Sequence, residues 1–414
     1  MVALDVSDRK VEPILTVLRS VSTGEDSIDI ALESGGRDLI DRHAQAWRTL
    51  CDRAQPEMAF LRPEMVSAYF QVFGGGDRVV LMTARRDGEL VALLPLHEKS
   101  LGAGPLRITW LRSAGNVHFH RFDALYAHGE DPDLIAARFW MALHEEYPRS
   151  AWQFERALTG GVVERMLGLA SRGGHLTETY DPDETPYVAV PPKEISLEEI
   201  IALQGKSLRG SLRRGLRRLG ERGTLRFVHV DGEAEGKDMS KWLERFCDLE
   251  HRGWKGAFGT SINSNRATSS FYRTIMLDEG LRPYARCLAL MLDDEMIAGD
   301  IGFIANGIYF GMKLAVDDDA RDCSPGHLMM LFELADFAAR GIREIDLGGK
   351  AESYKLFWTS TSRPYSHMYI FPKGIRGSVI HAIVFDGAFR ARDYLRTKPV
   401  VETIRRTLRK LPFV

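Results

Sequence analysis

One order of elements occurs twice in this chain, and that recurrence limits the folds open to it more than any single motif. In the first half, Val79 to Ala84 reads as a strand, Asp87-Gly88 as a hairpin turn and Leu90 to Leu96 as the return. Gly104-Pro105 turns the chain into a strand from Leu106 to Leu111. Asp131-Pro132 then opens a helix to about Glu146, and Ala151 to Phe154 is the strand that follows. In the second half, Cys287 to Leu292, the turn Asp293-Asp294 and Met296 to Ile304 repeat the hairpin. Asn306-Gly307, a two-residue hairpin pair, leads into Ile308 to Ala315. A helix opening at Ser324-Pro325-Gly326 and a short strand from Ile345 complete the set. Meander, helix, strand, twice over, predicts an α/β (α+β) chain of two tandem units. Each would be a mixed twisted sheet flanked by helices, rather than both forming one large sheet.

A length of 414 residues with 44% hydrophobic content supports two domains of ordinary size. The expected division is an N-terminal extension (1–22), a first unit (23–190), a second unit (191–375) and a basic C-terminal helical segment (376–414). A formal net charge of -2 argues against attraction of the whole protein to DNA, so anion binding must be local. Cys51, Cys247, Cys287 and Cys323 form no CxxC or CxxH cluster, which points to reduced, buried thiols and no metal site. Asp5 and Asp8 interrupt the N-terminus, and no apolar run has the length of a signal peptide or a membrane span. A soluble cytoplasmic protein is the expectation.

The chemistry concentrates between Asp317 and Trp358. Ser324 suits an N-cap, Pro325 the first helical position and Gly341 a left-handed exit. A strand feeding such a helix offers free N–H groups and a positive dipole end to an anion such as a pyrophosphate, or is simply a well-capped helix. The first copy has Asp131-Pro132 at this place, whose carboxylate would repel a phosphate, so the second copy is the better donor site. Two-residue-loop register sets Asp300 across from Lys313, either as an ion pair or as the lining of an acceptor cleft. Asp346 ends a buried strand, where carboxylates are uncommon unless paired. His118 and His120 alternate onto one strand face near Asp123, without a convincing third metal ligand. Arg209, Arg213 and Arg217, with Arg214, Arg218 and Arg222, stripe a basic helix whose apolar side is Leu208, Leu212, Leu216 and Leu219. That stripe is either a solvated face or a contact for a phosphorylated ligand: nucleotide-sugar, lipid phosphate, cyclic dinucleotide or tRNA. A second basic run (Arg390, Arg392, Arg396, Arg405, Arg406, Arg409, Lys410) reads as a helix on the second unit or on an anionic membrane surface at its inner face.

Several stretches together resemble a known family. They are Phe60-Leu-Arg-Pro-Glu64, Leu94-Pro95-Leu96, Glu250-His-Arg-Gly-Trp-Lys-Gly256, Ile297-Ala298 with Gly302-Phe303, Asp317, Ser324-Pro-Gly326, Asp346-Leu-Gly-Gly349 and Tyr354-Lys355. In order and spacing, over roughly residues 28 to 371, the chain resembles the GNAT-type acyltransferases of the CelD/BcsL kind, linked to exopolysaccharide, and more distantly the FemAB aminoacyltransferases. The resemblance implies tandem GNAT-like domains with acetyl-CoA or another acyl-CoA held by the second, around Leu314, Ser324, Gly326 and His327. It departs from the usual Gln/Arg-x-x-Gly-x-Gly/Ala signature, of which only Gly326 survives, with Leu328 at the second small position. The implied chemistry is direct acyl transfer to a small-molecule or glycan acceptor. Tyr354 would be the acid, Lys355 an electrostatic clamp, and Asp346, Glu250 or Asp300 the base. Trp254, Lys255 and Lys313 would line the acceptor site, with Arg209 and Arg213 contacting a nucleotide. Aminoacyl-tRNA as donor and a non-catalytic nucleotide sensor are the alternatives.

Overall fold

The computed structural model describes residues 28–101, 107–232 and 238–389. The extension 1–22, the Gly104-Pro105 turn and the basic run from Arg390 onward lie outside the described residues. In chain order the strands are β1 (Asp29–Gly35), β2 (Arg78–Arg86), β3 (Glu89–Leu101), β4 (Ile108–Ser113), β5 (Leu125–Tyr126), β6 (Ala151–Leu158) and β7 (Leu176–Ala189). They continue with β8 (Leu225–Asp231), β9 (Ala285–Leu292), β10 (Glu295–Ala305), β11 (Ile308–Val316), β12 (Glu344–Asp346) and β13 (Ser362–Phe371). The hairpins form where the turn residues put them. Asp87 and Gly88 take φ 51° and 81°, and Asn306 and Gly307 take 51° and 76°, the left-handed pair that a two-residue turn needs.

Meander, helix and strand do recur in the two halves, but the halves are not separate sheets. All the strands share one mixed sheet in the order β1-β2-β3-β4-β6-β13-β7-β12-β11-β10-β9-β8, with β5 beside β3. Two strands make the join. β7 runs for 14 residues, pairs with β13 along most of its length, and gives Tyr187, Val188 and Ala189 to β12. β13 comes back from the second half to insert between β6 and β7.

Helices cover both faces. One apolar core runs through both halves and includes Trp47, Leu94, Phe246, Ile301 and Phe310. A second, with Leu288, Tyr309, Leu328 and Phe337, lies beneath the helix Pro325–Ala339 on the other face of the second half. The basic helix Lys206–Arg222 buries Leu208, Leu212 and Leu219 in this second core. All four cysteines are free and buried. No helix among the described residues is long and apolar enough to cross a membrane.

Candidate active site

Strands β11 and β12 run parallel for only three pairs: Ile308 with Glu344, Tyr309 with Ile345, and Phe310 with Asp346. Past Phe310 they part, and from Gly311 to Val316 the β12 side of β11 has no strand partner among the described residues. On its other side β11 carries a bulge, where the pairing steps from Gly302 with Gly311 to Ile301 with Lys313 and leaves Met312 over. This bulge corrects the expected register. Asp300 pairs with Leu314, not Lys313. A one-residue slip reverses the faces, so Asp300 and Leu314 look toward the helix Pro325–Ala339 while Lys313 looks the other way.

That helix starts at the open end of the wedge. A Cβ on Gly326 would lie 3.5 Å from Val316 Cγ1 and 3.6 Å from Leu314, so the first turn sits directly against β11. Ser324 does not cap it. The residue adopts φ 56°, makes no side-chain cap, and shares a 3.0 Å hydrogen bond with the hydroxyl of Ser211. The Gly326 N–H consequently has no partner among the described residues. Ser211 belongs to the basic helix, whose Gly215 packs on the Cys323 carbonyl so closely that a Cβ would collide with it. This approach brings the arginine stripe beside the helix start. Arg218 donates to the Asp322 carbonyl (3.0 Å), Arg222 pairs with the Asp322 carboxylate (2.7 Å), and Arg213 pairs with Glu198 (3.2 Å). Arg209 makes no ion pair among the described residues.

The first half has the same wedge, and it is filled. β4 and β6 also pair in parallel over three residues, Trp110–Arg112 with Ala151–Gln153. Beyond them the chain around Phe122 takes the place of a ligand: Phe122 N–H donates to Arg156 O (2.9 Å) and Leu158 N–H to Phe122 O (3.1 Å). The helix that follows is capped by the Asp131 carboxylate, which accepts from Asp133 N–H at 2.9 Å. Of the two wedges, only the second has a backbone edge without a partner strand among the described residues.

On the Lys313 face, Glu250 is 2% exposed and holds two donors, with a second ammonium close by. Lys255 Nζ lies 3.1 Å from Oε1, Ile262 N–H donates to Oε2 at 2.7 Å, and Lys313 Nζ stands 3.9 Å away. Lys255 also donates to Leu314 O (2.6 Å), tying this cluster to the wedge edge. Burial lowers the Lys313 ammonium, while Glu250 opposes that shift. Lys313 sits 5.7 Å from the ring of Tyr272, whose hydroxyl is 3.2 Å from His118 Nδ1. Burial, helped by Lys313, pushes His118 down to about 4, so the imidazole is neutral. His118 and His120 do not share a strand face: their segment is irregular, and His120 turns to Asp346. Asp123 instead caps the helix Val162–Arg172, accepting from Val162 and Val163 N–H. Trp254 is 46% exposed beside this cluster, its ring 6.2 Å from that of Phe258.

The remaining sequence candidates lie at the other wall. Asp346, fully buried, accepts from Arg121, from His120 (3.2 Å) and from Gly348 N–H (2.9 Å). Burial alone would raise it; Arg121 and His120 outweigh burial and hold it well below the usual carboxylate range. Lys355 is 5% exposed and donates to Gly348 O (2.7 Å) and Lys350 O (3.0 Å), with Glu352 at 3.3 Å, so it fastens the double-glycine turn. Tyr354 is 44% exposed, and burial with the Glu352 carboxylate raises its hydroxyl. His327 accepts from Trp358 Nε1 (3.0 Å), linking the helix start to this segment. Asp300, 8% exposed, accepts from Tyr309 O–H (2.6 Å), whose ring crosses the bare Gly302. Burial raises Asp300 to about 7. Among the described residues no group of three or more His, Cys, Asp or Glu is placed to hold a metal.

Sequence reasoning missed His118 and Tyr272 as members of the Glu250 cluster. They come from a loop and a helix (Arg266–Leu277) far apart in the chain, and neither carries a local motif.

A search of the curated proteins finds no match. Among solved structures, the chain is similar to FemX at 10% identity, covering 82% of this chain and 98% of that one, with a TM-score of 0.54. It is also similar to the C-terminal domain of a putative lysylphosphatidylglycerol synthetase from Agrobacterium fabrum (13% identity, 84% and 96% covered, TM-score 0.48). A tandem GNAT protein from the clavulanic acid biosynthesis pathway is similar at 12% identity (83% and 99% covered, TM-score 0.41). Residues 206–356, which include both walls of the open wedge, match the family model described as acetyltransferase (GNAT) domain.

Proposed function

We propose that the second half is an acyl-CoA-dependent acyltransferase, with acetyl-CoA as donor, and that the wedge between β11 and β12 seats the donor. The observation that carries this reading is the pairing of a β11 edge without a strand partner, Gly311 to Val316, with an uncapped helix start whose Gly326 N–H has no partner among the described residues. An extended acyl-bearing arm adds to the edge as a short strand would, and the diphosphate meets the helix dipole and the neighbouring arginines. The first half's filled wedge and acidic cap support assigning one donor site, not two.

In this reading the acceptor enters from the Glu250–Lys255–Lys313 face. Its amine or hydroxyl attacks the thioester carbonyl, and the developing oxyanion takes a backbone N–H of the bulged β11. Asp346 is committed to Arg121, and Glu250 anchors two lysines. Asp300, raised to about 7, has the proton affinity of a base but lies across the sheet from this face, against the helix Pro325–Ala339, so Glu250 is the carboxylate placed to take the acceptor's proton. Tyr354, at the mouth, returns a proton to the leaving thiolate. Half-exposed Trp254 suits stacking on a sugar, and the two lysines suit a phosphate. These features favour a sugar or a nucleotide- or lipid-linked sugar as acceptor, in the envelope or exopolysaccharide chemistry that the CelD/BcsL resemblance implies.

The second reading is transfer from aminoacyl-tRNA, supported by the arginine stripe that flanks the same wedge. Calorimetric titration with acetyl-CoA tests both. The wild type should bind, and Gly326→Asp should weaken binding at least about tenfold, a loss of ~1.4 kcal/mol. Equal affinity in the two proteins would move the donor elsewhere. No CoA affinity, with salt-steep binding of tRNA, would favour the second reading; tight binding of a cyclic dinucleotide alone would favour a sensor.

A further inference from the structure

Behind the Gly348-Gly349 turn, at the seam between the halves, cations outnumber the carboxylates that answer them. Arg121 is 1% exposed and gives one nitrogen to Asp346, but its Nε and Nη1 are buried without partners among the described residues. Arg156 spends its Nε on His120 O (2.9 Å); its Nη2 is buried and unpartnered, and it forms no ion pair among the described residues. Tyr365, 2% exposed, lies with its ring 4.4 Å from the Arg156 guanidinium, and its buried hydroxyl also lacks a partner. The neighbouring carboxylates are already taken. Asp346 serves Arg121, His120 and Gly348 N–H, while Asp183 serves Lys350 at 2.7 Å and Glu184 N–H at 2.8 Å.

The backbone is bent to make this arrangement. The pairing of β13 with β6 slips between Ser366 and Met368, and opposite that slip Arg156 takes φ 56°, a conformation an arginine in a strand does not adopt freely. Arg121, 1% exposed, and the partly buried Arg156 repel each other, and the carboxylates that act on them, Asp346 and Asp183, already serve other donors, so both guanidinium groups keep buried N–H groups that need a partner. The donors left over are N–H and O–H groups only, which selects an anion and excludes a cation.

We propose that Arg121, Arg156 and Tyr365 form a binding site for one small monovalent anion, a halide or a short carboxylate. The site joins β6 and β13 to the segment that reaches Asp346, so its occupant cements the two halves. It does not depend on the donor assignment.

Thermal unfolding of the full chain at fixed ionic strength tests it, with chloride or acetate replacing bulky gluconate. The wild-type midpoint should rise saturably with one of the small anions; chloride alone identifies a halide site, acetate a carboxylate site. Arg156→Gln should lose that dependence, and in gluconate it should match or exceed the wild type, because a lone buried charge has been removed. Parallel anion dependence in the two proteins would overturn the proposal. Should Arg156→Gln fail to fold, Tyr365→Phe takes its place, with a weakened dependence expected. Wild-type crystals soaked in bromide or acetate should show the anion beside Arg121 and Arg156, by anomalous scattering for bromide. Ordered water there in both soaks would refute the site.

Discussion

Glu250→Gln tests whether the acceptor face is built as described. Glutamine keeps the length of the side chain and its acceptance of the Ile262 N–H, but removes the one anion between Lys255 and Lys313. Breaking a buried ion pair costs about 3–5 kcal/mol because the surviving charge loses its partner. Here the lysine side chains keep 21% and 20% exposure, so water recovers part of that, and about 2–3 kcal/mol is expected at pH 7. The loss should depend on pH in a defined direction. Burial already lowers Lys313, and Glu250 is the group that opposes it. Without Glu250 the folded protein holds this proton less tightly than the unfolded chain does. Stability of the variant therefore rises with pH as the unfolded lysine value, near ~10.4, is approached. Chemical denaturation at pH 7 and pH 9.5 should show the gap between wild type and variant narrowing at the higher pH. A variant as stable as wild type at pH 7, or a gap unchanged by pH, would mean that the lysines do not rely on Glu250.

Two further tests separate structural from chemical roles. Lys355→Ala strands the carbonyls of Gly348 and Lys350 and should cost about 2–4 kcal/mol in denaturation; an unchanged midpoint would make Lys355 a residue of the reaction instead. His118 is held at about 4 when folded against ~6.5 when unfolded, so between these values the unfolded chain binds more protons and stability falls with falling pH. The loss should approach ~3 kcal/mol by pH 4, and His118→Asn should remove it; an identical pH profile for the variant would show that His118 is not buried against Tyr272 and Lys313.

Much of the second half was legible because its signals are local. Asn306-Gly307 demands the hairpin it forms, and Pro325 with the apolar spacing of Leu328, Leu331, Phe332, Ala335 and Ala338 demands the helix. The slip that separates Asp300 from Lys313 was not legible, because Gly311-Met312-Lys313 contains nothing that obliges a strand to hold one extra residue. Ser324 looked like a cap on residue type alone. Its hydroxyl is claimed by Ser211, more than a hundred positions earlier, and only the packing of Gly215 on Cys323 brings the two together. β7 is the strongest case. Leu176–Ala189 contains Pro182, Pro186 and four acidic residues with an aspartate between the prolines, and prolines argue against an internal strand. The strand forms nevertheless, because β13 from the other half pairs with 176–186 and β12 with 187–189, and Pro182 falls where the β13 register slips.

That exchange explains why a half without an open wedge still matters to the candidate site. The loop that closes the first wedge with Phe122 also carries His118 to Tyr272 and Lys313, and His120 and Arg121 to Asp346. Filling one cleft thus supplies a wall of the other. β7 and β13 belong to both halves, so neither half can turn without breaking ladder hydrogen bonds in the centre of the sheet. The carboxylate of Asp346 is held ionised at this join, and the turn that Lys355 fastens follows directly from it. The double-glycine turn is therefore positioned by contacts from three separate parts of the chain.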